Sequence, residues 1–130
     1  DDFHAYYHFG NLTSWDRDMG LALTGCSRAA ARLDQPERAA GYYRSALKHA
    51  ESLHVDAFAL MALIPAAEIA LAEDDLDQTS LLLALVIKHP HTFAYDRAQA
   101  EDLLGRLPKE SRSPQGLPDL WHAAAELMDS

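Results

Sequence analysis

An all-α fold is what this sequence predicts, and three observations predict it. Alanine and leucine dominate a chain of 130 residues in which glycine and proline number only six each, so local propensity favours helix almost throughout. Apolar residues recur at spacings of three and four, and no alternating apolar/polar run marks a strand. Short polar turns separate the periodic stretches. Together they predict about six helices paired as antiparallel hairpins within a single domain, 1–130.

The clearest element is Arg32 to Ala50. Leu33, Asp34 and Gln35 make a tight turn, and Pro36 opens a helix that reaches about Leu53. Proline at the first helical position loses nothing, because its missing N–H has no intrahelical partner there. Ala39, Tyr43, Ala46 and Leu47 share one face, and small residues beside a ring let neighbouring helices come close. The helix before it spans about Ser14 to Leu33, with Ser14 as the expected N-cap. Met19, Ala22, Leu23, Cys26, Ala29, Ala30 and Leu33 form its expected apolar face, and Cys26 is read as a small buried residue. Gly20 and Gly25 weaken that helix or mark a close neighbour.

Asp56 to Glu73 is apolar nearly all round, which predicts the most buried helix. Pro65 lies inside it and predicts a kink near Met61 to Pro65. Asp74 and Asp75 form the next turn. A fourth helix spans Leu76 to Lys88 and is stopped by His89-Pro90-His91. Thr92 is the expected cap of a fifth, Phe93 to about Leu107. A polar loop, Lys109 to Pro118, leads to a short sixth helix, Asp119 to Met128. The organisation is therefore a boundary segment 1–13, one hairpin at 14–53, a second at 55–89, and at 92–128 a third hairpin or capping helices.

Asp34 set against Asp74 gives a repeat of about 40 residues. Ala39, Tyr43, Ala46 and Leu47 then meet Thr79, Leu83, Val86 and Ile87. A further step reaches Pro114 and pairs Ala123, Glu126 and Leu127 with the same positions, in a degenerate copy of the kind that ends a repeat array. The run from Asp34-Gln35-Pro36 through Tyr43, Ala46 and Leu47 resembles the second half of a tetratricopeptide repeat. Asp34 stands where that family's turn glycine is usual, Glu51 where its closing proline is usual, and Ser27 and Ala30 replace its glycine and aromatic. Residues 66–104, with Arg97-Ala98-Gln99-Ala100-Glu101-Asp102-Leu103-Leu104 after a His-Pro, are similar to the carboxy-terminal helical repeats of MalT-like and AfsR-like bacterial transcription activators. The resemblance implies a right-handed superhelix of stacked hairpins. It also implies a role in protein–protein interaction or regulation within a larger bacterial regulator.

The formal net charge of −9 excludes a phosphate-gripping surface and disfavours an anionic membrane. With one cysteine there is no internal disulfide. No apolar run is long enough to span a bilayer, a cytoplasmic setting is expected, and a start at Asp1 reads as a piece of a longer protein. Motifs for phosphate loops and nucleophile elbows are missing, so the chain reads as a non-enzyme without a cofactor. Ser45, His49 and Asp56 make a triad only on paper. His4 and His8 share a helical face without a third ligand, and Asn11-Leu12-Thr13 is a sequon by chance. His89 and His91 flank Pro90 and could meet His49 and His54 in space, but Lys88 and His89 are read as helix-terminal partners of the last carbonyls. Asp74, Asp75 and Asp77 read as a solvated helix start. Trp15 and Trp121 read as covers for the ends of the core.

The expected function is binding. A groove made by the first, third and fifth helices would present Trp15, Asp18, Arg28, Arg32, Phe58, Met61, Glu68 and Asp96 to a protein or peptide partner, or to another domain of the same chain. The alternatives are a ligand-free structural or homodimerising domain, and a metal-binding or enzymatic domain built on the histidines.

Overall fold

A computed structural model describes residues 12–129. Among the described residues are six α-helices, α1 (Ser14–Arg32), α2 (Pro36–Leu53), α3 (Asp56–Ala72), α4 (Leu76–Lys88), α5 (Ala94–Leu104) and α6 (Leu120–Asp129), with a 3₁₀ turn at Lys109–Ser111. No strand occurs among the described residues. The expectations for His4, His8 and the sequon asparagine, and for most of the boundary segment, fall outside them.

The connections repeat one geometry. Asp34, His54 and Asp74 all take the left-handed conformation, with φ of 59°, 58° and 60°, and lie twenty residues apart. At each, the helix ends in a Schellman motif. Gln35, Val55 and Asp75 donate their N–H to the carbonyls of Ala30, Ala50 and Ala70, at 2.9, 3.1 and 2.9 Å. The 40-residue period is thus two equal helix-plus-turn steps. Three of the four paired positions agree in burial: Ala39, Tyr43 and Ala46 are buried, as are Thr79, Leu83 and Val86, whereas Leu47 is buried and its counterpart Ile87 only partly so.

Helix α3 is the centre. It packs against α1, α2, α4, α5 and α6, and every residue from Ala57 to Ala67 is buried. Pro65 does not divide it, because helical backbone continues to Ala72. The neighbours that bury α3 hold the turn whose hydrogen bond proline removes. Helix α6 folds back over α2 and α3. There Arg44, lying over the Tyr43 ring at 5.9 Å, donates from Nε to the Leu127 carbonyl at 3.3 Å.

Local expectations are corrected at several points. Thr13, not Ser14, caps α1, its hydroxyl accepting from the Asp16 N–H at 3.1 Å. Thr92 does not cap α5. It is buried and its hydroxyl donates to the Val86 carbonyl at 2.6 Å, so α5 starts at Ala94 and ends at Leu104, short of Leu107. The buried face of α1 is Gly20, Thr24, Ser27 and Ala30, whereas Ala22, Cys26, Ala29 and Leu33 are exposed. Close approach decides this. Ser27 donates to the Ala39 carbonyl at 2.8 Å, and a bulkier face would hold the helices too far apart for that bond.

Of the described glycines, Gly20 has the closest neighbour. A Cβ there would lie 3.1 Å from the Phe58 ring, while one at Gly25 or Gly41 would meet nothing within 4 Å. Gly25→Ala and Gly41→Ala should each stabilise the fold by about 1 kcal/mol through helix propensity. Gly20→Ala should give a net loss, because overpacking of about 1–3 kcal/mol outweighs that gain. Urea denaturation of the three variants checks the order. A Gly20→Ala protein as stabilised as the other two would contradict the packing account.

Candidate functional site

Two constellations stand out. The first is a groove on the face shared by α1, α3 and α5, with a volume near 530 Å³. Arg28 and Arg32 come from α1 and Glu68 from α3. Tyr95, Gln99, Asp102 and Leu103 come from α5, and Arg106 from the turn after it. Glu68 sits between the two guanidinium groups, 3.9 Å from Arg28 and 3.8 Å from Arg32. Arg106 and Asp102 pair across one turn at 2.8 Å. Arg28 Nε, Glu68 Oε1 and Gln99 Oε1 are buried without a hydrogen-bond partner. Arg28 Nε and Glu68 Oε1 face each other at 3.9 Å, an ion pair too long to be a hydrogen bond. Buried polar atoms are normally hydrogen-bonded, so this stretched pair and Gln99 Oε1 leave the wall under-satisfied.

The residues expected to line the groove divide. Arg28, Arg32 and Glu68 meet there. Asp96 lies behind them, 3% exposed. Burial raises its pKa above the ordinary 3.8, with Arg28 opposing the shift. Phe58 and Met61, 2% and 7% exposed, belong to the core instead. On α3, apolar on all sides, the helical position alone does not separate a groove-facing residue from a core residue. Trp15 is 70% exposed at the start of α1 and does not line the groove or cover the core, and exposed Asp18 also lies outside the groove lining. Tyr95, Gln99, Asp102 and Arg106 do not follow from the sequence reading, although they recur at intervals of three and four along one face of α5 and the turn after it.

The second constellation joins the start of α3 to the α4–α5 loop. Asp56 Oδ2 lies 3.3 Å from His91 Nδ1 and 3.6 Å from His89 Nε2. Its other oxygen, Oδ1, accepts from Trp121 Nε1 at 2.9 Å. The loop is held from behind. Arg97 donates to the carbonyls of Ile87 and His89 at 3.1 and 2.8 Å. Arg97 at Ile87 and His89, and the Thr92 hydroxyl at Val86, rather than the side chains of Lys88 and His89, therefore satisfy the last carbonyls of α4. The His91 N–H donates to His89 Nδ1 at 3.1 Å. Burial pushes the His89 imidazole below its ordinary value. Asp56 acts in the opposite direction, and His91 adds to the lowering.

The paper triad is not assembled. Ser45 donates to the Gly41 carbonyl and His49 to the Asp16 carbonyl, both away from Asp56. Asp75 caps α4, accepting from the Gln78 N–H at 3.2 Å. No described helix is long and apolar enough to cross a membrane. Comparison with protein-family models, curated proteins and solved structures returns no match.

Asp96 gives a pH prediction. A carboxyl whose pKa is raised on folding holds its proton more tightly in the folded state, so its charged form opposes folding. That opposition is absent at low pH and grows as pH rises through the folded-state value. Asp96→Asn should therefore gain on the parent protein as pH is raised from about 4 to about 7. Thermal melts across that range check it, and a gap that shrinks with rising pH would contradict the assignment.

Proposed function

We propose that this chain is a tetratricopeptide-like interaction module of a larger bacterial transcriptional or signalling regulator, and that it binds an extended segment of a partner protein in the α1/α3/α5 groove. The role is binding without catalysis, and the partner is a separate protein or another domain of the same chain. One observation carries the reading: the stretched Arg28–Glu68 ion pair and the unsatisfied Gln99 Oε1 lie in one groove built from three non-consecutive helices. Peptide backbone supplies N–H and C=O groups in alternation, which is what this wall lacks. Exposed Tyr95 and the apolar part of Leu103 give side chains a surface to cover. The repeat geometry and the His-Pro/Arg-Ala stretch support the regulator setting. The net charge of −9 favours a protein over a nucleic acid as the occupant.

The test is selection of peptides from a random display library on the intact chain, followed by affinity measurement. Arg28→Ala and Gln99→Ala should each weaken selected peptides by about 30-fold, the size of an interface hot spot, and Lys48→Ala on exposed α2 surface should leave them unchanged. Thermal melts of each variant verify folding. Peptides that bind the groove variants and the parent equally would sink the reading.

A further inference from the structure

Asp56, His89 and His91 have no role in the groove, and their donor atoms all lie within 4.8 Å of one another. We propose that these three residues form a mononuclear site for a divalent transition metal, with Zn²⁺ as the expected occupant, that ties the α4–α5 loop to the start of α3.

The distances carry the argument. Zinc–nitrogen and zinc–oxygen bonds of about 2.0–2.2 Å place neighbouring ligand atoms of a tetrahedral ion about 3.3–3.5 Å apart. The separations from Asp56 Oδ2 are 3.3 Å to His91 Nδ1 and 3.6 Å to His89 Nε2. A hydrogen bond accounts poorly for the second, which is too long for one. Both rings aim a nitrogen at one carboxylate oxygen, leaving the fourth tetrahedral position for water.

The donor set matches the metal. Two imidazoles and a carboxylate suit zinc and its neighbours rather than calcium or magnesium. The surroundings supply the orienting contacts that ligands need. Trp121 holds Asp56 through Oδ1 and leaves Oδ2 to face the two histidines. Arg97 fixes the loop from its carbonyl side, and Pro90 limits the backbone between the two histidines. Metal entry has a cost at His89. Its Nδ1 now accepts from the His91 N–H, so the ring proton sits on Nε2, toward Asp56. Binding moves that proton to Nδ1 and gives up the amide contact. It likewise moves the His91 proton from Nδ1 to Nε2. The ion attracts both nitrogens and the carboxylate together, which offsets the lost contact.

The site is independent of the groove, so either proposal can fail alone. The experiment is calorimetric titration of the metal-stripped chain with ZnCl₂, with Co²⁺ absorption as a report on geometry. One equivalent should bind, Co²⁺ should give the intense visible bands of a tetrahedral ion, and Zn²⁺ at about 100 times its Kd should raise Tm by about 10 °C. His89→Gln and His91→Gln should abolish stoichiometric binding. Trp121→Phe should weaken it by about 10–100-fold. Asp56→Asn, which keeps an oxygen for Trp121, should abolish it while the metal-free chain still melts cooperatively. Absence of stoichiometric binding overturns the proposal. So does binding that survives the His89 and His91 variants and is lost in His4→Ala or His8→Ala, or in His49→Ala.

Discussion

Helix α3 has no face that can be left in water. Its sequence, DAFALMALIPAAEIALA, is apolar on every side, and only its ends and Glu68 and Ile69 escape full burial. Removing apolar area from water stabilises by about 25 cal/mol per Å², so the chain gains most by surrounding this helix. Five helices do so. The small residues follow from that constraint. Gly20 admits the Phe58 ring, and Ala59, Ala62 and Ala67 let neighbours approach α3 closely.

The turns give the surrounding helices their order. Left-handed residues at Asp34, His54 and Asp74 end three helices in the same way, and the equal spacing returns the chain to α3 at each step. A strict continuation would add a third hairpin. Instead, the long loop after α5 is pinned by Arg112, which donates to the carbonyls of Leu107 and Gly105 at 2.8 and 2.7 Å. Helix α6 is thereby carried back to the remaining open side of α3. The return also places Trp121 on Asp56, so the end of the chain and the α4–α5 loop meet at one carboxylate.

Most of this order is legible from residue spacing. Pro36 and Leu53 bound α2, and Leu76 and Lys88 bound α4, as the sequence indicates, because proline, aspartate and the His-Pro break act locally. The face of α1 is only partly legible. Ala30 is buried and Leu23 packs against the core as expected, whereas Cys26 and Leu33 are exposed, since packing distance selected the smaller side at Ser27 and Gly20. The groove is half legible. Charged Arg28, Arg32 and Glu68 stand apart from their neighbours by chemistry, whereas Phe58 and Met61 are indistinguishable from core on a uniformly apolar helix. The Asp56–His89–His91 cluster is invisible in sequence, because it depends on a contact across more than thirty residues that only the stacking of α4 on α3 creates.

The groove and the histidine cluster both draw on α3, one through Glu68 and the other through Asp56, at its opposite ends. A rigid central helix keeps both geometries in place. Amide hydrogen exchange followed by NMR tests that claim directly. If the account is right, the amides of α3 between Leu60 and Ala70 exchange only through global unfolding, more slowly than those of α1 and α6, and the turn at Pro65 shows no local opening. Faster exchange in α3 than in α1, or a break in protection on either side of Pro65, would contradict it.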